Sequence, residues 1–346
     1  MASPSGSEVA IGNKRLKLTN LDKVLYPKAG FTKAQVIDYY LRIAKVLLPH
    51  LRDRPLTLKR YPNGVDQPYF YEKRCPSHRP SWVRTADVYS ERNEGVVPYC
   101  LVNDVATLVW AANLADLELH VPLAKAKAMD RPTQMVFDLD PGAPANLVQC
   151  CEVGLLLRGL FDSLGLETFA KTSGSKGLQI YVPLNQPKLT YDDTKPFARA
   201  VAELLEREKP ALVVSNMKKS LRAGKVLVDW SQNDPHKTTV CVYSLRAKET
   251  PTVSTPVTWE EVATCARKRD PASLSYDSAA ALSRVEAKGD LFERLLSLKQ
   301  SLPRVSNAPR LRRSARRRQS PLLSNAPRLG RSARRGQSPL LRPRKS

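Results

Sequence analysis

Residues 135 to 142 read Met-Val-Phe-Asp-Leu-Asp-Pro-Gly, an apolar strand that ends in two carboxylates. Side chains alternate faces along a strand, so Asp138 and Asp140 project from one side while Met135, Phe137 and Leu139 take the other. Pro141 and Gly142 stop the strand at once, which places the pair at a sheet edge where a ligand can enter. Like charges that close repel and raise a pKa unless a cation lies between them. All-oxygen ligation favours a hard ion such as Mg²⁺ or Mn²⁺ over zinc. Taken alone, the D-x-D pair also reads as a solvated strand end followed by an Asp-Pro turn.

Two further segments bear on that pair. Lys171-Thr-Ser-Gly-Ser-Lys-Gly177 lies between β-type runs at Glu167 to Lys171 and Leu178 to Leu184. Its glycines let backbone N–H groups approach an anion, and its hydroxyls and Lys176 add donors, so it reads as a phosphate cradle or as a polar hairpin loop. The spacing is not that of a Walker P-loop, and a strand rather than a helix follows. In Lys225-Val-Leu-Val-Asp-Trp-Ser231 an acid ends an apolar strand, where it is costly without a partner; a shared metal would supply one. Asp138 and Asp140, Gln179, and Asp229 thus lie on three strands that each set a polar residue beside an apolar face.

Helical spacing over Lys33 to Leu48, with Thr32 as N-cap and Pro49 as terminator, predicts one helix; Asn103 or Asp104 opens a second. Further helical patterns at Leu147 to Leu164 and Thr194 to Glu208 separate the strands, and another β-type run covers Thr238 to Arg246. The expected architecture is a mixed α/β body whose sheet comes largely from the second half of the chain. Tyr69, Phe70 and Tyr71 could stack a base, but strand aromatics more often fill a core, which is the expectation for at least two of them.

The 346 residues carry 56 Lys+Arg against 33 Asp+Glu, a formal net charge of +23. Fifteen of those basic residues, and no acid, fall between Lys299 and Ser346, which leaves 41 against 33 in the body. Ser306 to Leu323 recurs as Ser324 to Leu341 with changes only at Arg312/Gly330 and Arg318/Gly336. This tail has dense Arg, recurring Pro and no aromatic, so it is expected to be disordered and to suit a polyphosphate partner. The chain is therefore read as a flexible start (1–17), a folded body (18–298) and a basic tail (299–346). No run reaches the roughly 18 apolar residues of a membrane span, and no secretory h-region opens the chain, so a cytoplasmic protein is expected. The six scattered cysteines fit reduced core residues better than a disulfide frame, and the single C-x-x-H of Cys75 and His78 is too little for zinc.

In combination, these segments resemble the polymerase domain of the bacterial end-joining ligase D, within the archaeo-eukaryotic primase-polymerase superfamily. The resemblance runs from about Leu18 to about Leu298. It rests on Leu18-Thr-Asn-Leu-Asp-Lys-Val-Leu-Tyr-Pro27, Lys59-Arg-Tyr-Pro-Asn-Gly-Val-Asp66, Glu118-Leu-His120, Phe137-Asp-Leu-Asp-Pro141, Ser173-Gly-Ser-Lys-Gly-Leu178, Val228-Asp-Trp-Ser-Gln-Asn233 and Tyr243-Ser-Leu-Arg246. It implies a central mixed β-sheet flanked by helices. It also implies a nucleotidyltransferase that extends a primer 3′-hydroxyl at gaps or breaks, with two Mn²⁺ or Mg²⁺ ions held by Asp138, Asp140 and Asp229. Ser173, Ser175, Lys176 and Arg246 would contact the incoming NTP or dNTP, and His120 would lie near it. The family usually has histidine where this chain has Gln179; glutamine can donate a hydrogen bond but carries no charge, so weaker nucleotide binding or a more Mn²⁺-dependent reaction would follow. Among Lys17, Lys23, Lys28 and Lys33, the family's use of basic residues there makes Lys17 and Lys28 candidates for a downstream 5′-phosphate. The family also leans toward ribonucleotides. No ligase-like K-x-D-G segment is evident, so a monomer working on the bacterial nucleoid beside Ku and a separate ligase is implied.

Two other readings stay open at this stage. A haloacid-dehalogenase-type phosphatase also follows an apolar strand with D-x-D, although Pro141 stands where that class has Thr or Val. A catalytically silent nucleic-acid binder would use the tail and a degenerate body.

Overall fold

The computed structural model describes residues 6–90 and 94–303. Its helices are α1 (Lys33–Leu51), α2 (Val105–Asn113), α3 (Leu147–Ser163), α4 (Tyr191–Glu208), α5 (Trp259–Lys268) and α6 (Ser278–Lys288). Their starts are set by side chains that satisfy the first free N–H groups. Thr32 and Gln35 form a capping box on α1, Asn146 and Gln149 on α3, and Thr258 and Glu261 on α5, while Asp104 caps α2 and Asp277 caps α6. Pro49 does not end α1, contrary to the sequence expectation. The helix continues to Leu51 because His50 and Leu51 are buried, and packing in the last turn outweighs one missing N–H bond.

Six strands form the sheet that carries the two-aspartate segment. Their order is Val213–Val214, Val226–Asp229, Gln134–Pro141, Leu178–Pro183, Phe169–Thr172 and Pro256–Val257. The first pair is parallel and the others antiparallel, which makes the sheet mixed. Phe137 packs on Phe161 of α3 with ring centroids 5.4 Å apart. Gly154 lets α3 lie close, since a Cβ there would come within 3.0 Å of the Leu178 side chain. The Gln134–Pro141 strand is interior to the sheet, so its acids stand at a strand end and not at a sheet edge as the Pro-Gly stop suggested.

A second six-stranded sheet, built mainly from the first half of the chain, corrects the expectation of a sheet drawn largely from the second. Thr239–Val240, Asp116–Val121, Pro55–Arg60, Gly95–Leu101 and Thr85–Ser90 lie side by side, and Phe70–Glu72 pairs with Pro55–Arg60. Pro55–Leu58 is buried at every position and Asp116–Val121 at all but His120, and strands covered on both faces lose the alternation by which a sequence betrays them. The run from Thr238 to Arg246 is a strand only at Thr239–Val240. Beyond it the chain turns, with Tyr243 at φ 63°.

Residues 6–17, expected to be flexible, belong to a hairpin of Gly6–Ile11 on Lys14–Thr19 whose Leu16 and Leu18 enter the core. At the other end, Gln300 bonds the backbone of Glu167 and Pro183, so order extends past Leu298; the repeat-bearing tail lies outside the described residues. Cys75 and Cys100 are disulfide-bonded, whereas reduced cysteines were expected; the loop carrying Cys75 bonds through its N–H to the Pro98 carbonyl of the Gly95–Leu101 strand that holds Cys100, a proximity no spacing rule reveals. Cys150, Cys151, Cys241 and Cys265 are free and buried. Among the described residues no helix is long and apolar enough to cross a membrane.

One buried polar cluster ties α1 to the end of the body. Asp290 accepts from Tyr243 Oη at 2.8 Å and lies 2.8 Å from His50 Nε2. Burial alone would raise the Asp290 carboxyl, but His50 and the other donors outweigh it and hold the pKa below the ordinary 3.8. A depressed folded-state pKa contributes stability that is present above the unfolded value and lost as pH falls through the folded one. Asp290→Ala should therefore cost about 3 kcal/mol at pH 7, since it strands two buried partners. Denaturant titration at pH 7 and near pH 2.5 checks this; an equal deficit at both would show that the carboxylate's charge contributes nothing.

Candidate functional site

The register of the mixed sheet sets four polar side chains in one row. Lys171 pairs with Gln179, Gln179 with Asp138, and Asp138 with Asp229. Residues opposite each other in an antiparallel pair share a face, so the row stands on the side away from Phe137 and Leu139. Asp140 follows Asp138 on that same face. Burial raises the Asp138 pKa, and the charges of Asp140 and Asp229 raise it further, against a hydrogen bond from Gln179. The Asp140 carboxyl is raised by burial and by Asp229, against the charges of Arg222 and Arg246. One oxygen of Asp138, Oδ1, is buried without any hydrogen-bond partner, a group that costs about 1–3 kcal/mol unless something satisfies it. Such an orphaned oxygen, with Asp140 following on the same face, fits a hard cation.

Asp229 stands opposite Asp138 in the ladder, yet its carboxylate turns into its own loop. Oδ1 accepts from Ser231 N at 2.9 Å and Ser231 Oγ at 2.6 Å, and Oδ2 accepts from Gln232 Nε2 at 2.9 Å. Among the described residues no three His, Cys, Asp or Glu side chains converge to hold an ion. The loop itself is held by Asn233, whose side chain accepts from Val136 N and donates to Val136 O, completing the ladder where the Val226–Asp229 strand stops.

The Lys171–Gly177 segment folds tightly against these acids. Ser173 Oγ accepts from Ser175 N at 3.2 Å and Gly177 N at 3.1 Å, Arg246 Nη1 donates to Ser173 O, and Thr252 Oγ1 donates to Gly174 O. Gly177 is needed for the close approach: a Cβ there would come within 2.1 Å of the Leu139 carbonyl oxygen. The result is a cavity of about 300 Å³ onto which His120, Asp138, Asp140, Ser173, Ser175, Lys176, Gln179 and Arg246 all face, closed by Gln232, Thr238, Thr239 and Val240. A larger cavity of about 560 Å³ shares Ser175 and Lys176 but contains none of the carboxylates. The sequence thus brings eight of its candidate residues together, with Asp229 behind them.

Glu118, quoted in a motif without a role, organises the far wall. Its Oε2 lies 3.0 Å from His120 Nε2, 3.1 Å from Lys59 Nζ and 3.4 Å from Arg246 Nε, and its Oε1 accepts from Ala247 N. Burial would raise its pKa, but His120, Arg246 and Lys59 hold it well below the usual range. An ionised carboxylate only accepts, so His120 Nε2 carries the hydrogen. Burial lowers the His120 pKa despite Glu118, which leaves the ring neutral with Nδ1 as an acceptor.

Lys59 connects this hub to a patch of aromatics. Its Nζ lies 4.6 to 5.6 Å from the ring centroids of Tyr61, Tyr69 and Tyr71, Tyr69 stacks on Tyr61, and Tyr71 meets the His120 ring edge-on. Tyr69, Phe70 and Tyr71 are 51%, 43% and 55% exposed, which corrects the expectation that at least two fill the core. The Phe70–Glu72 strand pairs with the Leu58–Arg60 half of Pro55–Arg60.

Lys17 and Lys28 do not line the cavity. Lys17 is exposed on the N-terminal hairpin, and Lys28 is ion-paired with Glu249. Lys33, grouped with them by sequence, is buried and donates to Thr19 O at 2.7 Å; burial lowers its pKa to about 8.

Because the Leu139 carbonyl belongs to a packed interior strand, it cannot move aside for a side chain at 177. Gly177→Ala should destabilise the protein by about 1–3 kcal/mol, read as a fall in Tm, and an unchanged Tm would mean that the loop swings away freely.

Three comparisons bear on this geometry. Residues 32–292 match the family model for the primase-polymerase domain of LigD. The chain is 46% identical over 282 residues to the multifunctional non-homologous end joining protein LigD of Mycolicibacterium smegmatis, covering 80% of this chain and 36% of that protein. It is 33% identical over 275 residues to the bifunctional non-homologous end joining protein LigD of Bacillus subtilis, covering 80% and 43%. It therefore spans well under half the length of these relatives. The solved polymerase domain from Mycobacterium tuberculosis ligase D, in complex with DNA, superimposes with a TM-score of 0.75 at 42% identity over 85% of this chain and 99% of that one. With a family model matched over residues 32–292 and 46% identity over 282 residues, the chain belongs to the LigD primase-polymerase domain family.

Proposed function

We propose that this chain is a metal-dependent nucleotidyltransferase that adds nucleotides, ribonucleotides by preference, to a primer 3′-hydroxyl at gapped or broken DNA ends. The observation that carries the reading is one cavity with two carboxylates on one side and the Ser173–Gly177 loop on the other. That the solved relative is a complex with DNA, and that the full-length relatives are named for non-homologous end joining, supports the substrate. Ku and a separate ligase are the partners this reading calls for.

Asp138 and Asp140 would hold the divalent ions, Mn²⁺ or Mg²⁺, and Asp229 would join them by exchanging its bonds to Ser231 and Gln232 for the cation. Ions bound there supply Lewis acidity at the attacking hydroxyl and charge neutralisation at the pyrophosphate. The chain's own residues do the remainder. Lys176, with the Ser173 and Ser175 hydroxyls that line the same cavity, receives the triphosphate. Arg246 is anchored by Glu118 and Ser173 O, so its charge is already fixed before the nucleotide arrives; such preorganisation avoids reorganisation cost during the reaction. His120 offers a neutral ring nitrogen, and Gln179 an amide N–H. The exposed Tyr69, Phe70 and Tyr71 lie beside this wall and suit a base that stacks without sequence preference. Lys17 and Lys28 would bind a 5′-phosphate, Lys28 after release from Glu249.

A gapped duplex carrying a 5′-phosphate, with Mn²⁺ and each NTP and dNTP in turn, should be extended according to the template. Asp138→Asn should reduce extension by about 100-fold or more while leaving Tm at least as high, since it removes a repelling charge. Extension by Asp138→Asn at the wild-type rate, or phosphate release from a simple ester in place of extension, would overturn the proposal. Tyr71→Ala should weaken binding to single-stranded DNA by about 1–3 kcal/mol, measured by fluorescence anisotropy, with no change in the salt slope because no charge is lost.

A further inference from the structure

Lys171 is the one residue of the cross-strand row to which no role has been given. It is among the largest fully buried side chains of the protein and does not line the cavity. Its ammonium group donates to Gln179 Oε1 at 2.5 Å and to Ser254 Oγ at 2.6 Å; Ser254 Oγ in turn donates to Thr172 O at 2.9 Å. A buried lysine whose hydrogen-bond partners are all neutral is costly to keep. An apolar residue would suit the packing better, unless the charge or its hydrogen bonds serve the site.

We propose that Lys171 is a positioning residue for the nucleotide, acting through Gln179. Lys171 Nζ donates to Gln179 Oε1, so the amide oxygen is the Gln179 atom that faces it. Tyr181 Oη donates to that same oxygen at 3.3 Å. With two donors on Oε1, the Gln179 nitrogen is turned the other way, toward Asp138, which stands opposite Gln179 on the neighbouring strand, and toward the cavity that Gln179 lines. A free glutamine offers either end of its amide, and a carbonyl oxygen turned toward phosphate would repel it. Lys171 removes that orientation. Ser254, held by Thr172 O, keeps the ammonium group in place.

This assignment rests on the nucleotide reading of the cavity, and the test separates the two. Binding of UTP in the presence of Ca²⁺ is measured by calorimetry on the full chain for the wild type, Lys171→Met, Gln179→Ala and the double variant, with Tm recorded for each. Lys171→Met and Gln179→Ala should each weaken UTP about tenfold, and the double variant should be no weaker than either alone. In primer extension the nucleotide KM of Lys171→Met should rise by the same factor while kcat stays within about twofold. Lys171→Gln, which keeps a donor without the charge, should hold UTP within about threefold of wild type, and it keeps the test open should Lys171→Met fail to fold. Losses that multiply in the double variant, unchanged UTP affinity in Lys171→Met, or a full tenfold loss in Lys171→Gln would overturn the role of Lys171 alone. A wild-type chain that binds no UTP would overturn the nucleotide reading with it.

Discussion

Phe137 and Leu139 pack against α3, and that contact sets the register on which every functional side chain depends. With those two residues held to the helix side, Asp138 and Asp140 have only the opposite face available. A slip of one residue would exchange the two sets completely. The same register places Gln179 and Asp229 on either side of Asp138. Glycines at 154 and 177 let the helix and the phosphate-type loop come close enough to use it.

Around that frame, the charges are arranged so that most are answered before any ligand arrives. Glu118 gathers His120, Lys59 and Arg246; Asp229 takes donors from its own loop; Lys171 stands behind Gln179. Asp138 Oδ1 is buried there without a hydrogen-bond partner. In a low-dielectric site an unanswered carboxylate oxygen is expensive, and its position beside a second carboxylate gives that cost a use: it is relieved only by a proton or a cation. The raised Asp138 and Asp140 carboxyls express the same tension from the side of protonation.

The residues legible in the sequence were those whose local pattern already implied chemistry. An acid at a strand end, a Gly-Ser-Lys loop between strands and an apolar run with a fixed alternation are local facts, and Asp138, Asp140, Ser173, Ser175, Lys176 and Arg246 were found that way or through the motifs that contain them. The strands of the first-half sheet were not found, because Pro55–Leu58 is buried at every position and Asp116–Val121 at all but His120, which leaves no alternation. At least two of Tyr69, Phe70 and Tyr71 were read as core for the opposite reason: their strand looks like any other in sequence, yet all three side chains are exposed.

From its order of residues alone, the chain determined the helices α3 and α4 and the strands at Gln134–Pro141, Phe169–Thr172, Leu178–Pro183 and Val226–Asp229, which face of the Gln134–Pro141 strand is polar, and where the phosphate-type loop lies. Those follow from periodicity and turn chemistry, which act over a few residues. Tertiary structure alone decided that Cys75 meets Cys100, that Glu118 collects three cations, that Asp229 turns into its loop and that Lys171 reaches Gln179 and Ser254. Each joins groups whose meeting or orientation is set by packing and by the pairing of hydrogen-bond donors with acceptors, and neither leaves a periodic trace in the sequence.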